Sequence, residues 1–469
     1  MQSDLTPRLP IGRLAWSDDV YALQECLEEF PHPVYVVGGA VRDALMRRPI
    51  KDIDLATPTN SIELGKQIAN YFNGEFYVLD RERGVGRAII HSVYGRIEID
   101  VARFRGAENT LLADLSDRDF TINAMVVDMH SDLTHLIDPL QGEGDVIAKV
   151  IRRCSPSSLS NDPLRALRAI RQSVALNFRI EPQTLEDIKQ VSSHLERVSP
   201  ERVRDELFKI LGGRHVTRAM KVALRLNLLQ ACLPLPPAQQ EGALALLQSL
   251  ESFVERLSPL PVDTVVTNFS YGLPLMQFQH LRPELQAHLE RTPTHPRPHQ
   301  ALLLLTPLLH PMVTTEAQLE WFTEHLRLSG AEEQTLMRIL MNWDRFIETS
   351  DRTTLTMHRY WYSLQAEGID VVLLTLAGYL VDHGVELNQQ AWLKLVEKAQ
   401  DYLTVYYRQH DSVVSPVLFM NGSEIMQAFE LPPGKQIGML LDALREAQVV
   451  SEVQTVEQAY QFISTQLGR

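Results

Sequence analysis

Residues 34–55 read VYVVGGAVRDALMRRPIKDIDL, and the reading of this stretch decides the fold. Val34, Tyr35, Val36 and Val37 form a short β-branched and aromatic run bounded by Pro33 and Gly38, the pattern of a buried strand. Gly38 and Gly39 turn the chain. Val41, Ala44 and Leu45 then recur at helical spacing until Pro49 ends the pattern, so the glycines stand at a helix N-terminus. Asp52, Ile53, Asp54 and Leu55 return to the period of a strand, which puts both carboxylates on one side and both apolar residues on the other.

The chemistry follows from that order. Free amide N–H groups and the positive end of the helix dipole attract phosphate, and glycine lets the backbone come close. Arg42, just inside the helix, adds a charge-assisted contact suited to a triphosphate. Two carboxylates on one face repel unless a cation lies between them, and hard oxygen ligands suit Mg²⁺. A pair of such ions roughly 3.5–4 Å apart activates an attacking hydroxyl and steadies a leaving pyrophosphate. A glycine turn or an Asp-x-Asp alone is common; the two together, in this order, are far more specific.

Residues 38–43 (GGAVRD) with 51–54 (KDID) resemble the first motif of the class II tRNA nucleotidyltransferase and bacterial poly(A) polymerase family. Residues 118–125 (RDFTINAM) are similar to its second motif, although the usual first arginine is Asp117 here. The resemblance implies that Arg118, Asp119 and Asn123 define a sugar pocket that selects ribonucleotides, so no DNA partner is expected. Residues 138–142 (DPLQG), followed by Asp145, Val146 and 149–152 (KVIR), resemble the hinge between catalytic head and helical neck. Residues 161–165 (NDPLR), with Arg168 and Arg171, resemble the motif that reads the incoming base, with Asn161 in place of the usual glutamate. By that match Asp162 and Arg165 hydrogen-bond the Watson–Crick edge of the base, and Arg168 belongs to the same nucleotide site. The spacing predicts that Asp162 and Arg165 lie three apart on one helix with Pro163 in its first turn, where they orient one another. An ordinary surface ion pair is the alternative reading of those two residues alone.

Residues 96–101 alternate cleanly, placing Glu98 and Asp100 opposite Ile97, Ile99 and Val101. The family pattern favours Asp100 as a third carboxylate at the metal site, while solvated acids on an edge strand remain the alternative. Only residues 103–116 separate this strand from the second motif. Relatives that add a terminal A usually carry a longer flexible loop there, so the chain resembles the CC-adding branch. The alternative is an A-adding enzyme or a poly(A) polymerase; residues 84–94 show no clear counterpart of the basic motif of one poly(A) branch. A non-catalytic RNA-binding relative is a second alternative, against which the intact Asp52 and Asp54 count.

With 469 residues the chain has room for two to four packed units, and its net charge of −14 argues against indiscriminate nucleic-acid binding. A local basic track is still present in Arg152, Arg153, Arg165, Arg168, Arg171, Arg179, Arg202, Arg204, Lys209 and Arg214. There the acceptor end of a tRNA would lie for its 3′ end to reach Asp52 and Asp54; a solvated face paired with Glu201, Asp205 and Glu206 is the plainer reading of part of it. Cys26, Cys154 and Cys232 lack metal or disulfide spacing, as expected of idle thiols in a reducing compartment. No signal peptide is visible, and the longest apolar run, 301–309, is too short to span a bilayer, so the expectation is a cytoplasmic protein without a membrane partner.

After Ile151 helical periodicity takes over, interrupted by proline-rich breaks at 233–237 and 292–298. The expected fold class is α+β: an N-terminal extension (1–30), a nucleotidyltransferase head (31–150), a helical neck (151–215), a degenerate HD-like helical body (216–400) and a helical tail (401–469). In the body, His310-Pro311 stands where relatives carry the His-Asp metal pair of a phosphohydrolase, and the proline removes the second ligand. Nothing in the spacing of His295, His299, His310 or His383 fixes a metal site, so this domain is expected to serve as scaffold or RNA support. The expected activity is template-independent transfer of C from CTP, with ATP the alternative, to the 3′ hydroxyl of tRNA. Two Mg²⁺ ions would be held by Asp52 and Asp54, with Asp100 in support.

Overall fold

The structure, a computed structural model, describes residues 5–92, 95–106, 108–230, 232–257, 269–349 and 351–468. Two compact units divide the chain, one within 1–206 and 222–231, the other within 207–221 and 232–469.

The first unit is built on a six-stranded mixed sheet in the order β3-β4-β5-β2-β1-β6. Its strands are β1 (Tyr35–Val37), β2 (Asp52–Thr57), β3 (Glu75–Asp80), β4 (Val85–Ser92), β5 (Gly95–Arg103) and β6 (Val126–Asp128). β2 and β5 run parallel, while every other neighbouring pair is antiparallel. Alternation decides which face is buried: Ile53, Leu55, Ile99 and Val101 are each at most 1% exposed and turn Asp52, Asp54, Glu98 and Asp100 to the opposite side.

The helices α1 (Asp18–Leu27), α2 (Gly39–Leu45) and α3 (Ser61–Tyr71) cover the apolar face. Val20, Leu23 and Leu27 of α1, Val41 and Ala44 of α2, and Leu64 and Ile68 of α3 are all fully buried in one core with the sheet. Each such valine, leucine or isoleucine contributes about 1.5–3 kcal/mol on burial, so the N-terminal α1 belongs to the head's core. α2 starts on Gly38 at φ +76°, a conformation that costs glycine little and other residues much.

Beyond β5 come α4 (Leu111–Ser116), α5 (Gly142–Ala148) and α6 (Ser158–Asn161), then the longer α7 (Arg165–Leu176), α8 (Pro182–Val191) and α9 (Pro200–Leu211). A small parallel pair joins β7 (Val150–Ile151) to β8 (Arg179–Ile180). α7 buries Leu167, Ile170 and Val174 together with Arg165, while Arg168 and Arg171 are half-buried.

The second unit is helical. Helix His299–Leu309 buries every residue from Ala301 to Leu309, so the longest apolar run of the sequence is a core helix. Trp361, Trp392 and Tyr402, in the same unit, are at most 1% exposed. Helices Gly422–Phe429, Lys435–Val449 and Val456–Gln466 gather around their own core of Ile425, Leu444, Ala459 and Ile463. The first of these begins with a capping box in which Asn421 and Glu424 satisfy each other's backbone N–H. Among the described residues no single helix is long and apolar enough to cross a membrane.

Candidate active site

The acid face comes from the parallel pairing of β2 and β5, which sets Asp52 beside Glu98 and Asp54 beside Asp100. In the sequence only the alternation of each strand is visible; the structure brings the two strands into register. Adjacent strands lie about 4.8 Å apart, so the neighbouring carboxylates share one electrostatic environment. Burial pushes the Asp54 carboxyl up, opposed by Arg118 and Arg105 and reinforced by Asp100 and Asp52. Such a set accepts positive charge readily.

Part of that charge is already supplied. Arg87, opposite Asp100 on β4, donates from Nε and Nη2 to both Asp100 oxygens at 2.7 and 2.9 Å, and from Nη1 reaches Glu98 at 2.5 Å. Asp100, the expected third metal ligand, is therefore engaged by a guanidinium. Arg87 was not legible as a site residue, because its role depends on the pairing of β4 with β5.

Gly38 closes the other side of Asp54. A Cβ at Gly38 would meet Asp54 Oδ2 at 2.9 Å and Arg118 Nη1 at 3.5 Å, so the glycine permits a close approach of backbone, acid and guanidinium. Arg118 is fixed from behind by Asp114, whose Oδ2 accepts from Nε at 2.9 Å. The other Asp114 oxygen accepts the Arg105 backbone N–H at 3.0 Å. One buried carboxylate of α4 thus staples both ends of the short connection after β5.

Asp119 and Asn123 are 7% exposed and face inward. Asp119 Oδ1 accepts from the Phe120 backbone N–H and from Asn123, at 2.8 and 3.0 Å. Its Oδ2 accepts from Arg168 Nε at 2.9 Å. Asn123 donates also to Gln172 and accepts from Arg42 Nη1, at 2.9 and 2.7 Å. Arg171 continues the network to buried Glu206 at 2.5 Å. Arg42, on the glycine-started helix, spends its remaining faces on Asp43, at 3.0 Å from both Nε and Nη2. The residues expected at the sugar pocket therefore form a buried network joining α2 to α7 and α9. Although burial works against its charge, Arg168, Asn123 and the Phe120 N–H hold the Asp119 carboxyl well below the usual range. Gln172 was missed in the sequence, its position one turn after Arg168 on α7 being the available signal, and Glu206, read there as part of a solvated face, is buried.

Asp162 and Arg165 differ from expectation. Asp162 is extended (φ −143°, ψ 95°) at the end of α6, and α7 starts only at Arg165. The cause is Pro163, whose ring disfavours helical backbone in the residue before it. The two side chains approach to only 4.0 Å. Arg165 donates instead to the backbone oxygens of Asp117, Ser158 and Arg118, at 2.7, 3.1 and 3.2 Å. Asp162 pairs with Arg202 at 2.8 Å. Much of the basic track is likewise paired: Arg152 with Asp145 and Glu181, Arg153 with Asp187, and Arg204 with Asp205.

In the second unit, His299 does converge with other ligand-type side chains, unlike the sequence expectation. His288 Nε2 and His299 Nε2 reach the two oxygens of Asp370 at 2.9 and 2.8 Å, all three side chains being at most 5% exposed. Among the described residues this is the group of three whose ligand atoms lie close together. Arg291 stands over it, 3.1 Å from His299 Nε2 and 3.9 Å from Asp370. His310 is elsewhere, stacked on Trp343 with ring centroids 3.9 Å apart.

Residues 34–152 match the family described as "Poly A polymerase head domain", and residues 177–238 match "Probable RNA and SrmB- binding site of polymerase A". The CC-adding tRNA nucleotidyltransferase of Geobacter sulfurreducens is 29% identical over 438 residues, covering 92% of this chain and 91% of that protein. The A-adding tRNA nucleotidyltransferase of Deinococcus radiodurans is 28% identical over 449 residues, covering 93% and 96%. A CCA-adding enzyme solved in complex with CTP shares the fold with a TM-score of 0.63 at 21% identity, over 96% of this chain and 95% of that one.

Proposed function

This chain belongs to the tRNA nucleotidyltransferase and poly(A) polymerase family and is a nucleotidyl-transferring enzyme; from that premise we propose that it adds C, without a template, to the 3′ end of tRNA. CTP is the donor and pyrophosphate leaves. The observation that carries the reading is the acid face: Asp52 and Asp54 in register with Glu98 and Asp100, beside a positive-φ glycine and the Arg118 guanidinium.

The donor set is hard oxygen with an excess of negative charge, which fits Mg²⁺, and we assign two ions to Asp52 and Asp54 with Asp100 as a further ligand. When bound, such ions ease ionisation of the attacking hydroxyl and neutralise charge on the departing pyrophosphate. The side chains have positioning and electrostatic work. Gly38 and Gly39 open the start of α2 to phosphate, and Arg42 and Arg118 add positive charge there. Asp119, Asn123 and Arg168 hold the sugar pocket in shape through their mutual hydrogen bonds. Asp162 and Arg165 belong to the base-reading segment. The primer 3′ oxygen attacks the α-phosphorus as the bond to the β-phosphate oxygen breaks and the hydroxyl proton is lost.

The short connection after β5 supports addition limited to C. Asp114 ties it to Arg105 and Arg118, and Thr110 caps α4 by accepting from Ala113 N–H at 3.3 Å. A stapled segment favours one form of the site. The near-equal similarity to an A-adding relative makes A addition the second reading.

The deciding experiment supplies CTP or ATP separately, with Mg²⁺, to tRNAs ending before the CCA, after C, and after CC. C addition halting at CC is expected. A added to the CC-ended tRNA would replace C addition with the second reading, and long A tails on unrelated RNA would favour a poly(A) polymerase.

A further inference from the structure

The N-terminal segment lies across the start of α5. Arg8 exchanges backbone hydrogen bonds with Leu136, at 2.9 and 2.7 Å, which brings its side chain to residues 138–143. Its Nη1 donates to Glu143 Oε2 at 2.6 Å and its Nη2 to Asp138 Oδ2 at 3.2 Å. The other Glu143 oxygen accepts the backbone N–H of Ile11 at 2.5 Å. Both acids are buried, their side chains 0% and 2% exposed, whereas that of Arg8 is 44% exposed. Asp138 also accepts the N–H groups of Gly142 and Glu143 at 2.7 and 3.0 Å, so the first turn of α5 hangs on it. Burial pushes the Asp138 carboxyl up and Glu143 adds to that, while the two α5 N–H groups and Arg8 oppose it. Two neighbouring buried carboxylates thus depend on the Arg8 guanidinium for a counter-charge.

α5 bears in turn on the second motif. A Cβ at Gly142 would collide with the Thr121 carbonyl oxygen and with Met125 Cγ, so the start of the helix is pressed against that backbone. One turn on, Asp145 Oδ2 accepts from Thr121 Oγ1 at 2.7 Å. Arg152 Nε donates to the same oxygen at 3.0 Å, and the Arg152 carbonyl accepts the Thr121 N–H at 2.9 Å. Thr121–Asn123 is a single 3₁₀ turn, so its two ends move together. Its last residue is Asn123, which donates to Asp119 and accepts from Arg42.

We propose that Arg8 is a positioning residue for nucleotide transfer: by holding Asp138 and Glu143 together it seats α5 against Thr121–Asn123 and so sets where Asn123 stands in the sugar pocket. The proposal rests on the nucleotide-transfer reading above and on the sugar pocket within it. A pocket that hydrogen-bonds a hydroxyl rejects an analogue lacking that hydroxyl only while its polar groups are correctly placed. When α5 shifts, CTP loses its contact at the 2′ oxygen, and dCTP has none to lose. Loss of Arg8 therefore acts on the choice of sugar more than on turnover in general.

The test is single-nucleotide addition by the full-length protein with Mg²⁺ and tRNA lacking its CCA end, measured for CTP and dCTP. For Arg8→Ala the CTP-over-dCTP ratio of kcat/KM should fall about 3- to 30-fold, chiefly through a loss with CTP. Filter binding of the tRNA should not change. Arg8→Lys keeps the charge without the forked donors and should fall between wild type and Arg8→Ala. Arg8→Gln keeps a donor and loses only the charge; it should shift the ratio in the same direction and serves where Arg8→Ala unfolds. Arg8→Ala with Glu143→Gln removes the like charge left behind and should regain part of the ratio. Equal loss with CTP and dCTP would reduce Arg8 to a structural brace and overturn the proposal, as would a ratio within twofold of wild type in the folded variants. Wild-type protein that does not prefer CTP to dCTP would overturn it as well. Wild-type protein incorporating no nucleotide would instead overturn the nucleotide-transfer reading beneath it.

Discussion

Arg168 and Asp119 meet with Nε and Nη2 both on Oδ2, at 2.9 and 2.8 Å, and this contact fastens α7 to the second motif. Asp119 is buried, and burial alone would raise its pKa; Arg168, Asn123 and the Phe120 N–H outweigh it and hold the carboxyl low. Asp119→Ala leaves those donors without an acceptor and should cost about 3–5 kcal/mol. The sign of the pH effect follows from linkage. A carboxyl whose folded pKa is depressed gives stability that is present above its unfolded value and is lost as pH falls toward the folded one. Urea unfolding of wild type should therefore weaken below about pH 4, the ordinary aspartate value, and Asp119→Asn should flatten that decline. Parallel pH curves for the two proteins would remove Asp119 as the cause.

Asp52 is the exposed member of the acid face, so changing it should disturb the fold little. Asp52→Ala is expected to lower nucleotide incorporation about 10³-fold or more while tRNA binding persists. Filter binding alongside primer extension separates the two effects. Turnover within tenfold of wild type would reject the metal assignment.

Gly38→Ala adds a Cβ at φ +76°, 2.9 Å from Asp54 Oδ2. Left-handed strain should cost about 1–2 kcal/mol, and displacement of Asp54 should lower kcat about 10²-fold, since the reacting groups tolerate little misplacement. A crystal structure of the variant with an unmoved Asp54, together with normal turnover, would show that the close packing is incidental.

Much of the head could be read from its sequence because the signals are local. β1, α2, β2 and β5 follow from periodicity, and Asp52 with Asp54 follows from alternation. What escaped depends on chain pairing. Arg87 becomes a partner of Asp100 only when β4 lies against β5. Asp162 was expected on a helix because a proline in the first turn is normal there, yet the same ring extends the residue before it. Arg118, Asp119 and Asn123 were expected to touch a sugar; that they are buried, with Asn123 donating to Asp119 and Arg118 to Asp114, is something alternation and motif cannot reveal. His299 lies 71 residues from its partner Asp370, beyond the reach of any local pattern.

Arg87 holds both oxygens of Asp100 and also contacts Glu98, so it competes with any divalent ion for those carboxylates. Arg87→Ala should lower the Mg²⁺ concentration for half-maximal activity by about two- to tenfold, the scale of a partly exposed ion pair. Arg87→Lys, lacking the bidentate grip, should fall between. A Mg²⁺ requirement that stays the same or rises would mean that Asp100 is braced by Arg87 and takes no part in metal binding.

Asp370 accepts from His288 and His299 in the interior of the second unit. Burial opposes its charge, but the two imidazoles outweigh it and hold the carboxyl well below its usual range. Burial in turn pushes the His288 imidazole down, so both groups favour the fold less as the solution becomes acidic. For His288 the loss begins below the unfolded histidine value of about 6.5; for Asp370 it begins below about 4. In both windows the unfolded chain binds the extra proton, which makes stability rise with pH. Asp370→Asn replaces one acceptor oxygen by a donor against a buried imidazole N–H, and should cost about 3–5 kcal/mol. Asp370→Asn with His288→Gln should lose less than the sum of the two single changes, because the residues share one hydrogen bond. Thermal unfolding followed by circular dichroism between pH 3.5 and 8, on all four proteins, reads both effects. Strict additivity, or a wild-type profile flat from pH 8 down to pH 5, would mean that the imidazole–carboxylate cluster does not hold this unit together.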